Sequence, residues 1–268
     1  MSSQYDFDTI IDRHHTGAMK TDVLCERYGR EDLIPLWIAD MDFAVAPCIT
    51  DALVRRLQHP VYGYAEAPAS YWQSILFLLS SHAGSRAKHH PFASVSETAA
   101  QNSISFGAPS KTFNIAGLVS SYAIVPNETI RKRFFDWLTA NELNEPTFMA
   151  TIATEAAYNH CREWREQMLA YIEQNILFVE EFLDCHIPAI KAIRPQASFI
   201  VWLDCTRLHL EHDALIDLFV DKARLALNDG EMFGPEGKGH MRLNVGTPRA
   251  VLQKALEQLR SAVDGLKR

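Results

Sequence analysis

The chain has 268 residues, 47% of them hydrophobic and 22% charged, with a formal net charge of −7. A chain of that length and composition can bury roughly three quarters of its unfolded surface, which suits a globular protein of one large or two smaller domains. The 26 Lys and Arg residues form no basic stripe for nucleic acid or an anionic membrane, and the five cysteines, which form no C-x-x-C pair, read as reduced thiols of a cytoplasmic protein.

Met1 to Asp12 is polar and lacks the apolar run of a signal peptide. Residues 1–36 read as an arm with one short helix, and Ile34 to Phe43 as an extended stretch. Ile49, Leu53 and Leu57 recur every four residues after Pro47, which predicts a helix ending near His59-Pro60. Pro60 to Tyr64 is a turn with an exposed aromatic pair, and a second helix follows Ser70. The longest apolar run, Ile75 to Leu79, is too short to span a bilayer. Residues 80–91 are a polar loop.

Ser103 to Phe106 alternates as a strand does, Ala108 to Lys111 is a turn, and Pro126 to Leu143 is helical. Within 151–184, Met168, Ile172, Ile176, Val179 and Leu183 share one helical face. Phe199, Val201 and Leu203 mark a strand, Leu215, Leu218 and Phe219 a helix, and Leu225 to Leu227 a short strand. The last helix opens at Thr247-Pro248, a cap residue before proline. Helices and strands alternate throughout, so the class is α/β or α+β.

Few residues carry chemistry by spacing. Lys111, on a tight turn behind small residues, can offer its amine to a cleft as a Schiff-base nucleophile, although a lone lysine is more often a solvated charge. His14-His15 and His89-His90 lack a third ligand for a metal, and Cys25 and Cys48 lack a histidine–acid pair for nucleophilic catalysis.

Motifs in series say more. Ala108-Pro109-Ser110-Lys111-Thr112-Phe113-Asn114-Ile115-Ala116-Gly117-Leu118 resembles the cofactor-lysine segment of the MalY/PatB family, the cystathionine β-lyase-like branch of the class I/II aminotransferases. Leu225 to Gly239, followed by Arg242-Leu243-Asn244-Val245-Gly246, resembles that family's C-terminal signature. Trp37 to Phe43 and Val61-Tyr62-Gly63-Tyr64 resemble two N-terminal elements, and the order along the chain is the family's.

The resemblance implies a pyridoxal 5'-phosphate (PLP) enzyme of α/β, aminotransferase-type fold. It implies that Lys111 holds the cofactor, with Ser110 near its phosphate and Tyr64 reaching across a homodimer interface to the neighbour's phosphate. Arg242 takes the place of the arginine that binds the substrate α-carboxylate, and Asp40 lies in the element beside it. The expected substrate is an amino acid such as a cysteine conjugate; C–S β-elimination and transamination both use this set.

One segment has no counterpart. The family's phosphate loop, its ring-stacking aromatic, its N-P-x-G and its D-E-x-H are all missing, as though deleted between Ser74 and His82. The expected organisation is an arm over 1–45, a truncated PLP-binding large domain over 46–160 and a nearly complete small domain over 161–268. A non-catalytic remnant that pairs with itself or with a full-length relative is the alternative the deletion suggests.

Overall fold

The computed structural model describes residues 5–80 and 90–266, so most of the polar loop at 80–91 lies outside the described residues. In chain order its helices and strands begin with α1 (Met19–Asp22), α2 (Leu24–Tyr28), β1 (Ile34–Pro35), α3 (Pro47–Leu57), α4 (Ala69–Ser80) and α5 (Glu97–Gln101). There follow β2 (Ser105–Gly107), β3 (Tyr122–Ile124), α6 (Glu128–Ala140), α7 (Phe148–His160) and α8 (Arg162–His186). The last are β4 (Lys191–Ile193), β5 (Ile200–Asp204), α9 (His212–Asp217), β6 (Leu225–Ala226), β7 (Asn228–Asp229), β8 (His240–Asn244) and α10 (Arg249–Leu266). Two compact units result, one of residues 1–44 with 166–268 and one of residues 45–165.

The first unit carries an antiparallel sheet in the order β4-β5-β8-β7. Alternation along β5 and β8 buries Val201, Leu203, Met241 and Leu243 and turns Trp202 and Arg242 to the other face. The predicted stripe on α8 is fully buried, as are Leu252, Leu256 and Leu259 on α10, so both helices bury the face their period marks out. The N-terminal segment belongs to this unit: β1 pairs in parallel with β6, and Leu24, Leu33, Trp37, Val220 and Ala226 form one apolar cluster.

Three expectations need correction here. The arm contains two short helices, because Val23 interrupts the helical path between α1 and α2. The span 151–184 holds parts of two helices, since Cys161 leaves helical geometry between α7 and α8. Thr247 does not cap α10: its hydroxyl is buried without a partner, and the Pro248 carbonyl takes the first amide bonds.

In the second unit α7 packs against α3 and α4 through a surface of small residues (Ala150, Ala153, Ala156, Ala157) that lets the helices approach closely. Phe113, Tyr158 and Trp164 form its aromatic centre, with Phe113 5.8 Å and 6.4 Å from the other two rings. The only sheet among its described residues is the hairpin-like β2–β3 pair. Gly107 faces Tyr122 there, and a Cβ would come within 2.4 Å of the tyrosine ring, so this position takes no larger residue without a shift. Phe106 remains exposed on that small sheet.

Cys48 and Cys161 are bonded to each other, with their Cα atoms 6.8 Å apart, which corrects the expectation of five reduced thiols. Spacing could not reveal this pair, because 113 residues separate its members and only the packing of α3 on α7 brings them together. Cys25, Cys185 and Cys205 are free.

Candidate functional site

The R-L-N-V-G run of the first unit assigns each residue a separate task. Leu243 and Val245 enter the core. The Asn244 amide donates to the carbonyls of Ile38 and Asp40, at 2.6 Å each, and its oxygen accepts from the Gly246 amide at 2.7 Å. A Cβ on Gly246 would lie 2.7 Å from Met41 Cγ, so glycine is what allows residues 37–43 to run so close. The asparagine and the glycine thus fix the backbone of the W-x-A-D-M-D-F element against β8.

Arg242 stands opposite Trp202 and Asn228 in the sheet, on the face away from the core. One terminal nitrogen donates to the Trp37 carbonyl at 2.9 Å and to Asn228 Oδ1 at 2.7 Å. The guanidinium carbon lies 4.7 Å from the centre of the Phe233 ring, a cation–π arrangement. Burial draws its pKa down from the usual arginine value, which still leaves it a cation. Its Nε is buried without a hydrogen-bond partner, and among the described residues no carboxylate forms an ion pair with it. The hydrogen bonds to Trp37 and Asn228 both go to neutral acceptors. The arrangement is a preset fork with unspent hydrogen-bonding capacity, chemistry that suits a carboxylate.

Asp40 is differently employed. Its Oδ2 accepts from Arg13 at 2.6 Å, and Arg13 also donates to Asp42 Oδ1 at 2.9 Å. Lys20, wholly buried, reaches both Asp42 oxygens at 2.8 and 2.9 Å and the Asp40 carbonyl at 3.3 Å. Burial works to lower the Arg13 pKa, but the bonds to Asp40 and Asp42 outweigh it and the net shift is upward. Two acids and two bases therefore neutralise one another beneath the element. The side chain of Asp40 serves the scaffold, while its backbone carries the link to Asn244. Sequence reading missed Arg13 and Lys20, since partners 20 to 29 positions away leave no local pattern.

Within the second unit, Lys111 and Ser110 share the turn that leaves β2. The Phe113 amide bonds to the Pro109 carbonyl at 3.0 Å and the Ile115 amide to that of Ser110 at 3.1 Å, with Asn114 in left-handed geometry. Phe113 and Ile115 are buried and pin the turn, which leaves Ser110 half-buried and Lys111 exposed. Tyr62 stacks on Phe148 at 5.7 Å and donates its hydroxyl to the Leu57 carbonyl, so it anchors its loop. Tyr64, two residues on, is fully exposed. Among the described residues no cluster suits a metal ion, and no helix is long and apolar enough to cross a membrane.

Known proteins resemble the chain in sequence and in fold. It is 39% identical over 176 residues to cystathionine beta-lyase PatB of Bacillus subtilis, a match covering 66% of this chain and 46% of PatB. Protein MalY of Escherichia coli is 22% identical over 385 aligned positions, covering 97% of this chain and 99% of MalY. That alignment is longer than the chain, so part of MalY has no counterpart inside it. MalY apart, the chain spans about half the length of the curated relatives it matches. A PLP-bound protein of Clostridium difficile superposes with a TM-score of 0.91 at 26% identity, covering 97% of this chain and 100% of that one. The fold is accordingly the aminotransferase type of PLP enzymes, with a reduced large domain. No family model matches the chain.

Proposed function

The chain belongs to the MalY/PatB family, and from that premise we propose that it is a PLP-dependent C–S β-lyase acting on a cysteine conjugate in the cytoplasm, as a homodimer. The observation that carries the reading is Arg242, a half-buried guanidinium with an unbonded Nε and, among the described residues, no carboxylate of its own. It would take the substrate α-carboxylate, in the orientation set by Asn228 and the Trp37 carbonyl. Lysine in its place would offer a point charge where a planar fork is wanted.

For the cofactor, the primary amine of Lys111 suits an aldehyde and the hydroxyl of Ser110 suits a phosphate, both on one pinned turn. Tyr64, unburied within its unit, is free to serve a neighbouring subunit. Bound PLP supplies an electron sink for charge that develops at the substrate α-carbon. Lys111 Nζ is the base suited to the α-proton, and Arg242 fixes which bond stands ready to break. The family's partner for the ring nitrogen is missing from this sequence, which lowers the expected rate. Transamination would use the same residues.

The exposure of Tyr64, Phe106, Val119 and Trp137 in the second unit favours one other reading, a non-catalytic remnant that associates with itself or with a full-length relative. Visible absorbance of the purified chain titrated with PLP separates the two, beside a Lys111→Ala control. The lyase reading expects a saturable band that the control lacks, together with thiol release from a cysteine conjugate. No band, or one indifferent to Lys111, would overturn it in favour of the remnant.

A further inference from the structure

Cys48 occupies the first turn of α3, and Cys161 follows the last residue of α7. These positions lie three residues after the start and four before the end of the unit formed by residues 45–165. The bond between them therefore joins the place where the chain enters this unit to the place where it leaves, closing nearly the whole unit into one loop. No closure elsewhere among the described residues has comparable reach, since the remaining cysteines are unpaired.

We propose that Cys48–Cys161 is a thiol–disulfide exchange site, opened and closed by small-molecule thiols and disulfides of the glutathione class, and that it decides how firmly the second unit holds together. This inference is independent of any PLP chemistry. The two sulfurs differ in a way that sets the order of exchange. Cys161 is completely buried, whereas Cys48 is only partly buried, so an external reagent meets Cys48 first. Cys48 also lies at the N-terminus of an 11-residue helix with no acidic residue in its first turn, where negative charge on sulfur is favoured.

Closure then runs in two displacements. The Cys48 thiolate attacks one sulfur of the small disulfide, whose S–S bond breaks and releases one small thiolate. The Cys161 sulfur, giving its proton to solvent, next attacks the Cys48 sulfur of the mixed disulfide and expels the second small thiolate. Two cysteines are oxidised and one small disulfide is reduced to two thiols. Opening is the reverse, beginning with attack at Cys48.

The consequence follows from the state of the unit. Its described sheet has two strands, and Trp72, Leu76, Phe106, Val119 and Trp137 lie exposed, so packing holds it less well than the sheet-centred unit. A cross-link spanning 113 positions removes much of the entropy gained on unfolding, and its loss should raise the opening equilibrium of this unit on the order of a thousand-fold.

The test equilibrates the full chain in oxidised and in reduced glutathione, alkylates it after denaturation, and follows hydrogen exchange by mass spectrometry. The oxidised sample should give a linked Cys48–Cys161 peptide with neither of those cysteines alkylated, the exposed Cys25 and Cys185 carrying glutathione, and all five cysteines should alkylate in the reduced one. Reduction should speed exchange in α3 and α7 by up to that factor while α10 stays as it was. A Cys48→Ser/Cys161→Ser variant should be indifferent to the redox buffer. The proposal is overturned if no linked peptide forms in oxidised glutathione. It is equally overturned if linked and unlinked wild-type chains exchange alike in α3 and α7.

Discussion

Lys20→Met tests whether the cluster beneath the W-x-A-D-M-D-F element holds that element in place. The lysine has no solvent exposure, and the carboxylates it meets are 19% (Asp40) and 17% (Asp42) exposed. Methionine fills most of the same volume but leaves two carboxylates facing Arg13 alone. Breaking a buried pair costs about 3–5 kcal/mol. Because both carboxylates keep some access to water, the expected loss is at the lower end, about 3 kcal/mol. With a urea slope of about 2 kcal/mol/M, the midpoint should fall by about 1.5 M. Trp37 reports the event, since its indole donates to the Lys20 carbonyl at 3.0 Å, so tryptophan fluorescence in a urea titration is a suitable assay. Asp42→Asn and the double variant complete a cycle, with a coupling of about 1 kcal/mol or more expected for residues in direct contact. A loss under about 1 kcal/mol, typical of exposed ion pairs, or strictly additive single effects would refute the reasoning.

Three further outcomes are expected. Leu183→Ala, at a fully buried position on α8, should cost about 2–5 kcal/mol in urea unfolding, where an exposed leucine would cost little. Thr247→Val should raise stability by about 1 kcal/mol, since it replaces a buried, unpartnered hydroxyl with a methyl group of nearly the same shape. The Tyr171 phenol is pushed up from 10.0 to about 12, chiefly by burial and then by its bond to Asp8. The folded chain therefore holds this proton more tightly than the unfolded one, and the stabilisation is complete below pH 10 and disappears as pH rises toward 12. Unfolding midpoints measured across that interval should fall less steeply in Tyr171→Phe than in the parent chain; equal slopes would show that Tyr171 is not the group responsible.

Much of this protein was legible in the sequence because the signals concerned are local. The stripe from Met168 to Leu183 states the buried face of α8 outright, and the alternation of Phe199, Val201 and Leu203 does the same for the strand at β5. The turn at Ala108 to Lys111 and the R-L-N-V-G run were visible for a related reason, since short motifs carry their own backbone requirements. The tertiary structure alone decided everything that depends on residues far apart in the chain. It put the N-terminal segment with the C-terminal sheet, through β1 on β6 and the Asn244 clamp on Ile38 and Asp40. It spent the Asp40 carboxylate on Arg13 and Lys20 and left Arg242 without an acid among the described residues, and it joined Cys48 to Cys161 across the second unit. Periodicity records which face of an element is buried, because each turn or pleat repeats at a fixed interval. What that face meets is settled only when distant segments pack, and no spacing in the chain encodes it.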